Sequence, residues 1–383
     1  MHKTRLLYLI TKLELGGAQK QLLSLIAGLN KEKFDIFLFT GCNGLLLKDA
    51  LGIEGLKVIK SRFLERPVNP LKDFLALIEI YLFIRKNKVQ IVHTHSSKAG
   101  IIGRLAAGLA KVEIILHTVH GWSFNDYQPW LKRKIFIWLE KICGNFTDRI
   151  IVVSNYDKKR GLRNHIGDED KYRLIRYGID YTEFGIKDNS LRKELRIEDN
   201  DLLVGMVSCL KPQKSPQDFV KLAFLANRDL PDTKFILAGD GELRPEIERL
   251  IRELNLQKQV FLLGWRRDIP RILSALDIFV LTSLWEGLPI AALEAAASSL
   301  PVVVSDTGGV REIISDGETG FVVPPRDLEK FSQKLILLLK DKELRLRMGR
   351  KAKEPPDFNF SAKNMAAHTQ DIYQDLIQAR DHI

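Results

Sequence analysis

Short apolar runs rich in Val, Ile and Leu alternate with amphipathic stretches along the whole chain. The short runs are typical of buried strands, and the longer stretches, whose apolar residues return every three or four positions, predict helices. In the first half, the predicted strands lie near residues 5–11, 34–40, 56–60, 89–93, 113–118 and 149–153. The predicted helices between them begin near Gly17, Asn69, Ser97, Tyr127 and Ser154.

The second half repeats this alternation after a polar crossing over residues 181–201. Its predicted strands lie near residues 202–207, 234–238, 259–263, 277–281, 301–304 and 320–323. Strands that alternate with helices favour parallel sheets with helices on both faces. The sequence therefore predicts an α/β protein of two doubly wound, Rossmann-like domains. Ligands of such sheets collect beyond the carboxyl ends of the strands, so we expect a central cleft that both domains face.

The domain boundaries follow from these elements. We expect a first domain over residues 1–185, a second over 186–360, and a C-terminal helix over 361–383 that packs back on the first domain. The stretch "EPPDFNF" (354–360) should end the preceding helix at its two prolines, and Ser361 suits the N-cap of the last helix.

Composition agrees with two ordinary soluble domains, since the 383 residues are 45% hydrophobic and 28% charged. The longest apolar runs are far shorter than the roughly 20 residues that span a bilayer, so no transmembrane helix is predicted. The first apolar run, "LLYLI", reaches a Gly-Gly turn at once, which favours a first strand over a signal peptide. Three widely spaced cysteines, Cys42, Cys143 and Cys209, show no metal-ligand spacing and suit a reducing cytoplasm.

Charge is shared unevenly. Residues 1–190 carry 31 Lys and Arg against 19 Asp and Glu, a net charge of +12, whereas residues 191–383 carry 28 against 29. The first half therefore faces an acidic partner. Nucleic acid is one alternative, but no recognised nucleic-acid motif accompanies the diffuse basic excess. A dinucleotide-dependent oxidoreductase is another, but "LELGGAQ" after the first strand lacks G-x-G-x-x-G.

One basic segment of the first half, "QPWLKRKIFIWLEKICGNF", carries apolar residues near helical spacing. These residues are Trp130, Leu131, Ile135, Trp138, Leu139 and Ile142, and the cations beside them are Lys132, Arg133, Lys134 and Lys141. The stripe can pack into its own domain, which we favour, or insert into an anionic membrane surface. In either case the basic excess predicts electrostatic docking of a cytoplasmic, peripheral protein on an anionic membrane surface.

Two carboxylates stand out in the stretch "SLWEGLPIAALEAAASSLPVVVSDTGG". Glu286 follows the end of a predicted strand, and Glu294 lies inside the alanine-rich helix that begins near Leu288 to Pro289. The first turn of that helix is an anion site, because its N–H groups and dipole face outward. A carboxylate beside bound phosphate should grip neutral hydroxyls, such as those of a sugar. Alternatively, Glu286 is a solvated loop charge and Glu294 an ordinary helix residue.

The loops after neighbouring strands favour the ligand-binding interpretation of Glu286 and Glu294 over this alternative. The segment "SDTGGVREII" predicts a second helix start after Gly308 and Gly309, and the loop "CLKPQKSP" carries Lys211 and Lys214. Lysines on such a loop can neutralise a phosphate, although they can also be surface charges. The loop after "FLLGW" offers backbone groups and the Trp265 ring.

Four histidines, His93, His95, His117 and His120, fall within 28 residues. No H-x-x-x-H helix or cysteine accompanies them, so no metal site is predicted. His93 and His117 alternate with apolar strand residues and are expected in the core. His95 and His120 fall at strand ends, where a cleft is expected.

Together these motifs resemble the retaining family 4 glycosyltransferases, which have the two-domain GT-B fold, over nearly the whole chain. The similarity is carried by "EGLPIAALEAAASSLPVVVSDTGGVREII", "FILAGDGELRPEIERL", "VFLLGWRRDIPRILSALDIFVLTS", "LELGGAQKQL", "HTHSSKAGIIGRLAA", "HTVHGW" and "VVSNYDKK". Each piece alone is weak, and the combination is specific.

The resemblance implies a role for each glutamate. Glu286 corresponds to the family's glutamate beside the donor sugar, and Glu294 to the one that holds the nucleotide ribose. Gly287 and Leu288 are assigned to donor binding with them. Lys214 is similar to the family's diphosphate ligand.

Further donor contacts are implied on other loops. Gly16 and Gly17, after the first strand, correspond to a loop that passes close to the donor. His120 matches the histidine that contacts the transferred sugar, and backbone beside Trp265 resembles the nucleobase contact. The catalytic assignments are therefore His120, Lys214 and Glu286.

The chain departs from the family at Ser208-Cys209-Leu210, where Gly-Arg-Leu is usual. One phosphate-binding arginine is therefore missing. Lys211 can supply a charge, but it lacks the bidentate fork of arginine. We therefore expect Lys214 to contribute more to activity than Lys211.

The resemblance thus implies transfer of a hexose from a nucleotide diphosphate sugar, preferably a UDP-sugar, to an acceptor hydroxyl with retention. Cell-surface polysaccharide or glycolipid assembly is the implied setting, with a sugar or a lipid-linked sugar on the cytoplasmic leaflet as the acceptor. No metal, other cofactor or nucleic-acid partner is expected.

Overall fold

A computed structural model of the chain describes residues 3–353 and 360–381. The described chain divides into two compact units. The first unit runs to Gly178 and resumes at Phe360, and the second unit begins at Ile179. Pro355 and Pro356, where the sequence predicts a helix end, lie outside the described residues.

The first unit is built on a seven-stranded parallel sheet, counted over the described residues. Its strands are β1 (Thr4–Leu9), β2 (Phe34–Gly41), β3 (Leu56–Ser61), β4 (Ile91–His95), β5 (Ile114–Val119), β6 (Arg149–Val152) and β7 (Tyr172–Leu174). Their order across the sheet is β3-β2-β1-β4-β5-β6-β7. The chain order therefore reverses direction between β1 and β4, which is where ligands of such sheets collect.

Helices cover both faces of this sheet. They are α1 (Gly17–Gly28), α2 (Leu47–Leu51), α3 (Pro70–Asn87), α4 (Ser97–Leu109), α5 (Trp130–Asn145) and α6 (Asn155–Arg163). Right-handed crossovers place α1 and α2 on one face, and α3 to α6 on the other. The core follows this division, since alternate residues of β1 pack toward α1 on one face and toward α3 and α4 on the other.

The second unit has a six-stranded parallel sheet over the residues that the structure describes. Its strands are β8 (Leu203–Val207), β9 (Lys234–Ala238), β10 (Val260–Gly264), β11 (Ile278–Leu281), β12 (Val302–Ser305) and β13 (Gly320–Val323). Their order is β10-β9-β8-β11-β12-β13, so the chain reverses direction between β8 and β11. Its helices are α7 (Ser190–Glu194), α8 (Pro216–Asp229), α9 (Arg244–Glu253), α10 (Ile269–Ala275), α11 (Ile290–Ala297), α12 (Leu328–Lys340) and α13 (Lys342–Lys353).

The last helix, α14 (Ala362–Asp381), belongs to the first unit and packs along α1. Met365 and Tyr373 of α14 enter the core between α1 and the sheet. The first intrahelical bond, from the Met365 amide to the Ser361 carbonyl (3.0 Å), places Ser361 just before the helix.

Each predicted strand agrees with an observed strand to within about two residues. Strand β7 and the short helix α2 were not predicted. The helix expected near Tyr127 begins at Trp130, because Asn125, Gln128 and Pro129 form a turn there. The polar crossing contains α7. No helix of the described residues is long and apolar enough to cross a membrane.

Candidate functional site

In the second unit, Lys214 and Glu286 meet beyond the carboxyl ends of the adjacent strands β8 and β11. The Lys214 ammonium donates to Glu286 Oε1, and the Ser283 hydroxyl donates to the same oxygen at 2.6 Å. The Glu286 side chain is only 7% exposed and that of Lys214 is 22% exposed. The alternative that Glu286 is a solvated loop charge is therefore wrong.

Hydrogen bonds between the two loops fix this pair. The Thr282 hydroxyl lies 3.0 Å from the Lys214 carbonyl and 2.9 Å from the Ser215 carbonyl. The Leu284 amide donates to the Gln213 carbonyl at 2.7 Å. Because these bonds join the backbones on either side of the pair, the cation and the carboxylate are held in place before any ligand binds.

A third loop, after β12, packs on the backbone of Glu286 and Gly287. The Gly309 amide donates to the Gly287 carbonyl at 2.6 Å. Gly308 has φ of +58°, and a Cβ there would lie 2.4 Å from the Glu286 carbonyl oxygen. Only glycine fits this close approach in that conformation.

The helix start predicted after these glycines is wrong. Residues Val310–Glu312 form a three-residue 3₁₀ turn, and no α-helix follows before β13. Three of the five residues after Gly309 are β-branched, which lowers helix propensity. The loop after β12 therefore adds no α-helix N-terminus to the site, and α11 supplies the one that follows Glu286.

Helix α11 begins at Ile290, with Pro289 at its N-cap and no side chain capping it. The Leu288 side chain is buried, so only its backbone can face a ligand. Glu294 is half-buried at the fifth position of the helix. Its contact with a ribose stays a prediction.

The loop after β8 carries Lys211 and Lys214 close to the position where the family usually has an arginine. Lys211 is half-buried and precedes the 3₁₀ turn Pro212–Lys214, whose last amide donates to the Lys211 carbonyl at 2.9 Å. The hydroxyl of Ser208 is buried and has no hydrogen-bond partner among the described residues. Trp265, after β10, is 39% exposed, so its ring remains accessible.

In the first unit, His120 lies directly after β5 with both ring nitrogens engaged. Its Nδ1 is 2.6 Å from the Tyr177 hydroxyl, and its Nε2 is 2.8 Å from Nδ1 of His95, the last residue of β4. The rings of His95 and His120 stack at 5.0 Å between centroids. A sugar hydroxyl can therefore bond to His120 Nε2 only by displacing His95.

Burial keeps these rings neutral. Desolvation lowers the pKa of His120 to about 3 and the pKa of His95 well below its usual range. His95 Nε2 has no partner among the described residues. A buried N–H without a partner is rarer than a bare acceptor, so the favoured tautomer protonates His95 on Nδ1, which donates to His120. His120 then donates from Nδ1 to Tyr177.

The other two histidines of this group of four, His93 and His117, are core residues, as the sequence predicts. His93 lies 2.5 Å from the Tyr373 hydroxyl of α14 and 2.7 Å from the Thr118 hydroxyl. His117 contacts Thr94. The expectation that His95 borders an open cleft is wrong, since its side chain is buried against the rings of its neighbours.

The loop after β1 leads into α1 with Gly16 at the N-cap and Gly17 as the first residue. On the same helix, Gln21 makes two bonds to the backbone of Gly178, of 2.8 and 3.0 Å. This clamp holds the residue next to Tyr177. Neither Gln21 nor Tyr177 was predicted as a site residue from the sequence, although the motif "RYGID" (176–180) that contains Tyr177 was a visible signal.

Comparison with known families decides the identity. The family "Glycosyl transferases group 1" matches residues 187–355, and the family "Glycosyltransferase Family 4" matches residues 15–183. The UDP-Gal:alpha-D-GlcNAc-diphosphoundecaprenol alpha-1,3-galactosyltransferase of Escherichia coli is 35% identical over 369 residues, which are 95% of each chain. The chain belongs to the family 4 glycosyltransferases of GT-B fold.

Other relatives agree with this family 4 membership. An α-1,3-N-acetylgalactosaminyltransferase of Campylobacter jejuni, which acts on N,N'-diacetylbacillosaminyl-diphospho-undecaprenol, is 30% identical over 78% of this chain and 80% of its own. A sucrose-phosphate synthase structure from Thermosynechococcus elongatus has a TM-score of 0.85 at 21% identity, covering 98% of this chain and all of its own. An Anabaena protein crystallised with UDP and glucose has a TM-score of 0.84 at 18% identity, covering 97% and 100%. At these identities the structures show the GT-B fold alone.

Proposed function

We propose that this glycosyltransferase moves a hexosyl group from a UDP-sugar to a hydroxyl of a lipid-diphosphate-linked sugar, with retention of anomeric configuration. The single observation that carries the proposal is the Lys214–Glu286 pair, buried beyond β8 and β11 and next to the N-terminus of α11. One cation and one helix dipole suit a diphosphate, and the carboxylate beside them suits sugar hydroxyls.

Lys214 can bond to Glu286 and to a phosphate oxygen of the donor at the same time. An ammonium has three donors, so Lys214 can keep its bond to Glu286 while it donates to a phosphate oxygen. Glu286 has a second carboxylate oxygen, which can accept from a donor-sugar hydroxyl. In this arrangement the lysine ties the position of the sugar to that of the leaving diphosphate.

The remaining donor contacts follow the family pattern. Glu294 would hold the ribose, and backbone beside Trp265 would face the nucleobase. In the first unit, Gly16 and Gly17 would pass close to the donor. His120 would contact the transferred sugar by exchanging its bond from His95 to a sugar hydroxyl, as a neutral group that accepts or donates a hydrogen bond.

The reaction needs charge stabilisation more than proton abstraction. As the bond from the anomeric carbon to the diphosphate breaks, negative charge grows on the leaving oxygens beside Lys214 and the α11 amides. Preorganised donors of this kind contribute about 3–4 kcal/mol each. The acceptor hydroxyl then attacks from the face that the diphosphate leaves, which retains the configuration. No metal or cofactor is needed, so EDTA should leave the rate unchanged.

The relatives support the acceptor class. Both the Escherichia coli and the Campylobacter jejuni enzymes are named for acceptors linked to undecaprenol through a diphosphate. We therefore place this enzyme in cell-surface polysaccharide or glycolipid assembly at the inner leaflet. A nucleic-acid-binding protein or a dinucleotide-dependent oxidoreductase is not favoured by these relationships.

The test uses the purified full chain with GlcNAc-diphosphoundecaprenol as acceptor. UDP-galactose, UDP-glucose, UDP-GlcNAc and GDP-mannose are supplied separately, and product is followed by mass spectrometry and anomeric NMR coupling. We expect transfer from one UDP-hexose with an α linkage, lost in Lys214→Ala. Turnover of GDP-mannose alone, or a β-linked product, would refute the donor or the stereochemistry respectively.

A further inference from the structure

Helix α3 is apolar on two sides. It buries Ala76, Ile80 and Ile84 against the sheet. On its outward side a second stripe is left exposed, at spacings of three and four residues. This α3 stripe consists of Leu71 (69% exposed), Phe74 (60%), Ile78 (36%) and Leu82 (58%). A monomeric soluble domain has no reason of its own to keep such a stripe in water.

Helix α5 presents a similar stripe. The α5 stripe consists of Trp130 (68% exposed), Leu131 (57%), Ile135 (49%) and Trp138 (60%). The favoured expectation that the stripe packs into its own domain is therefore wrong for these four residues, whereas Leu139 and Ile142 of the same predicted stripe are half-buried. The helix instead packs on the core through Phe136 and Ile137, which lie on its opposite side.

Both stripes belong to one layer of helices. Helix α3 packs against α4, and α4 packs against α5, all on the same face of the sheet. Helix α4 is recessed, since its residues from 99 to 107 are buried or half-buried. The two stripes thus form two separate apolar ridges, roughly 17 Å long on α3 and roughly 12 Å long on α5 at 1.5 Å per residue. They are about 20 Å apart, at typical helix spacing.

The acidic side chains of α3 and α5 bond to other side chains of the first unit. Glu140 of α5 pairs with the buried Arg104 at 2.6 Å. On α3, Asp73 pairs with Lys98 at 2.5 Å, and Glu79 accepts from the Ser61 hydroxyl.

Several basic side chains of the same helices are exposed to solvent. Lys132 and Lys134 of α5, and Arg85 and Lys86 of α3, are exposed beside the stripes. The Lys134 ammonium lies over the Trp130 ring, 4.8 Å from its centroid. Exposed tryptophan beside exposed lysine is typical of a membrane–water interface, where the ring enters the headgroup region and the cations meet anionic lipids.

We propose that the two stripes and these four cations form a docking face that lies on an anionic bilayer. The charge complementarity selects the occupant, because a purely apolar protein partner would leave the four cations unmatched. The face consists of two separated ridges, so it lies flat on the membrane surface and does not insert deeply. The inference stands on the surface of the first unit and does not require the donor or acceptor proposed above.

The test is co-sedimentation of the full chain with vesicles of phosphatidylglycerol and phosphatidylethanolamine, compared with phosphatidylcholine vesicles. We expect binding to the anionic vesicles only. Lys132→Gln/Lys134→Gln should lower the partition coefficient about 25-fold, from the usual attraction per cation. Trp130→Ser/Trp138→Ser and Leu71→Ser/Leu82→Ser should each lower it roughly tenfold or more. The matched control is Leu346→Ser, on an exposed leucine of α13 in the second unit.

A second measurement reports the contact itself. Brominated lipids should quench the fluorescence of the wild type, and Trp130→Phe/Trp138→Phe should bind vesicles while losing most of this quenching. Circular dichroism and hydrolysis of a water-soluble nucleotide sugar check that every variant is folded.

The proposal is overturned if the wild type ignores anionic vesicles, or if the docking-face variants bind as well as Leu346→Ser. It is also overturned if sedimentation velocity shows a dimer that Trp130→Ser/Trp138→Ser dissociates, since the face would then join two copies. Vesicle binding without glycosyl transfer would defeat the proposed function and leave the docking face intact. Transfer to detergent-dispersed GlcNAc-diphosphoundecaprenol without vesicle binding would defeat the docking face and leave the proposed function intact.

Discussion

Replacing Lys214 with alanine is the most informative single perturbation of the donor site. The change removes the only cation that the structure shows in contact with Glu286, a carboxylate that is 7% exposed. It leaves the Ser283 hydroxyl as the remaining donor that we observe on that oxygen. Two effects should follow, one on the transition state and one on the resting protein.

The expected loss of kcat and the expected loss of unfolding free energy differ enough in size to be told apart. Loss of one preorganised donor to the leaving diphosphate costs about 3–4 kcal/mol, so kcat should fall roughly 10²- to 10³-fold. Leaving Glu286 short of one hydrogen bond costs about 1–3 kcal/mol of unfolding free energy, a modest loss. Lys214→Arg keeps the charge and should retain part of the activity. Lys211→Ala, the matched control on the same loop, should lower kcat less than about tenfold.

The assay measures kcat and KM for the UDP-sugar in each variant, with urea unfolding as the control for stability. A fall in kcat with little change in KM places the Lys214 contact in the transition state, whereas a rise in KM alone makes it ground-state binding. If Lys214→Ala and Lys211→Ala both keep wild-type activity, neither lysine belongs to the site and the reasoning fails.

Three further predictions follow from the same structure. Burial lowers the pKa of both His93 and His120 to about 3. The unfolded chain therefore binds the extra protons, and stability should be lost as pH falls from about 6.5 toward 3, by up to about 1.4 kcal/mol per pH unit for each ring; a melting temperature that is flat across this range would contradict it. Arg104→Met should cost about 3–5 kcal/mol in urea unfolding because it strands the buried Glu140, and the Arg104→Met/Glu140→Leu double variant should recover most of that loss; an equally unstable double variant would show that the pair is not the cause. Glu294→Ala should weaken UDP binding in calorimetry roughly 10- to 100-fold by removing charged hydrogen bonds to the ribose, and unchanged UDP affinity would remove this residue from the nucleotide site.

Much of the fold was readable from local pattern. Strand periodicity located β8 to β13 almost to the residue, because a buried parallel strand is a continuous apolar run between turn residues. The motif around Glu286 was readable for the same reason, since a strand end, a turn and a helix start occupy adjacent positions in the chain. Elements with little pattern of their own, such as the three-residue β7, gave no such signal.

The sequence alone determined which residues share an element and which lie at its end, because hydrophobic periodicity and turn chemistry act over a few neighbouring residues. It therefore placed Lys214, Glu286 and His120 on loops after strands. Only the tertiary structure decided that Tyr177 bonds to His120 across 57 positions, and that Gln21 clamps the backbone beside it. Only the tertiary structure also decided that the α5 stripe faces solvent, because an amphipathic pattern defines a face of a helix but not what covers it.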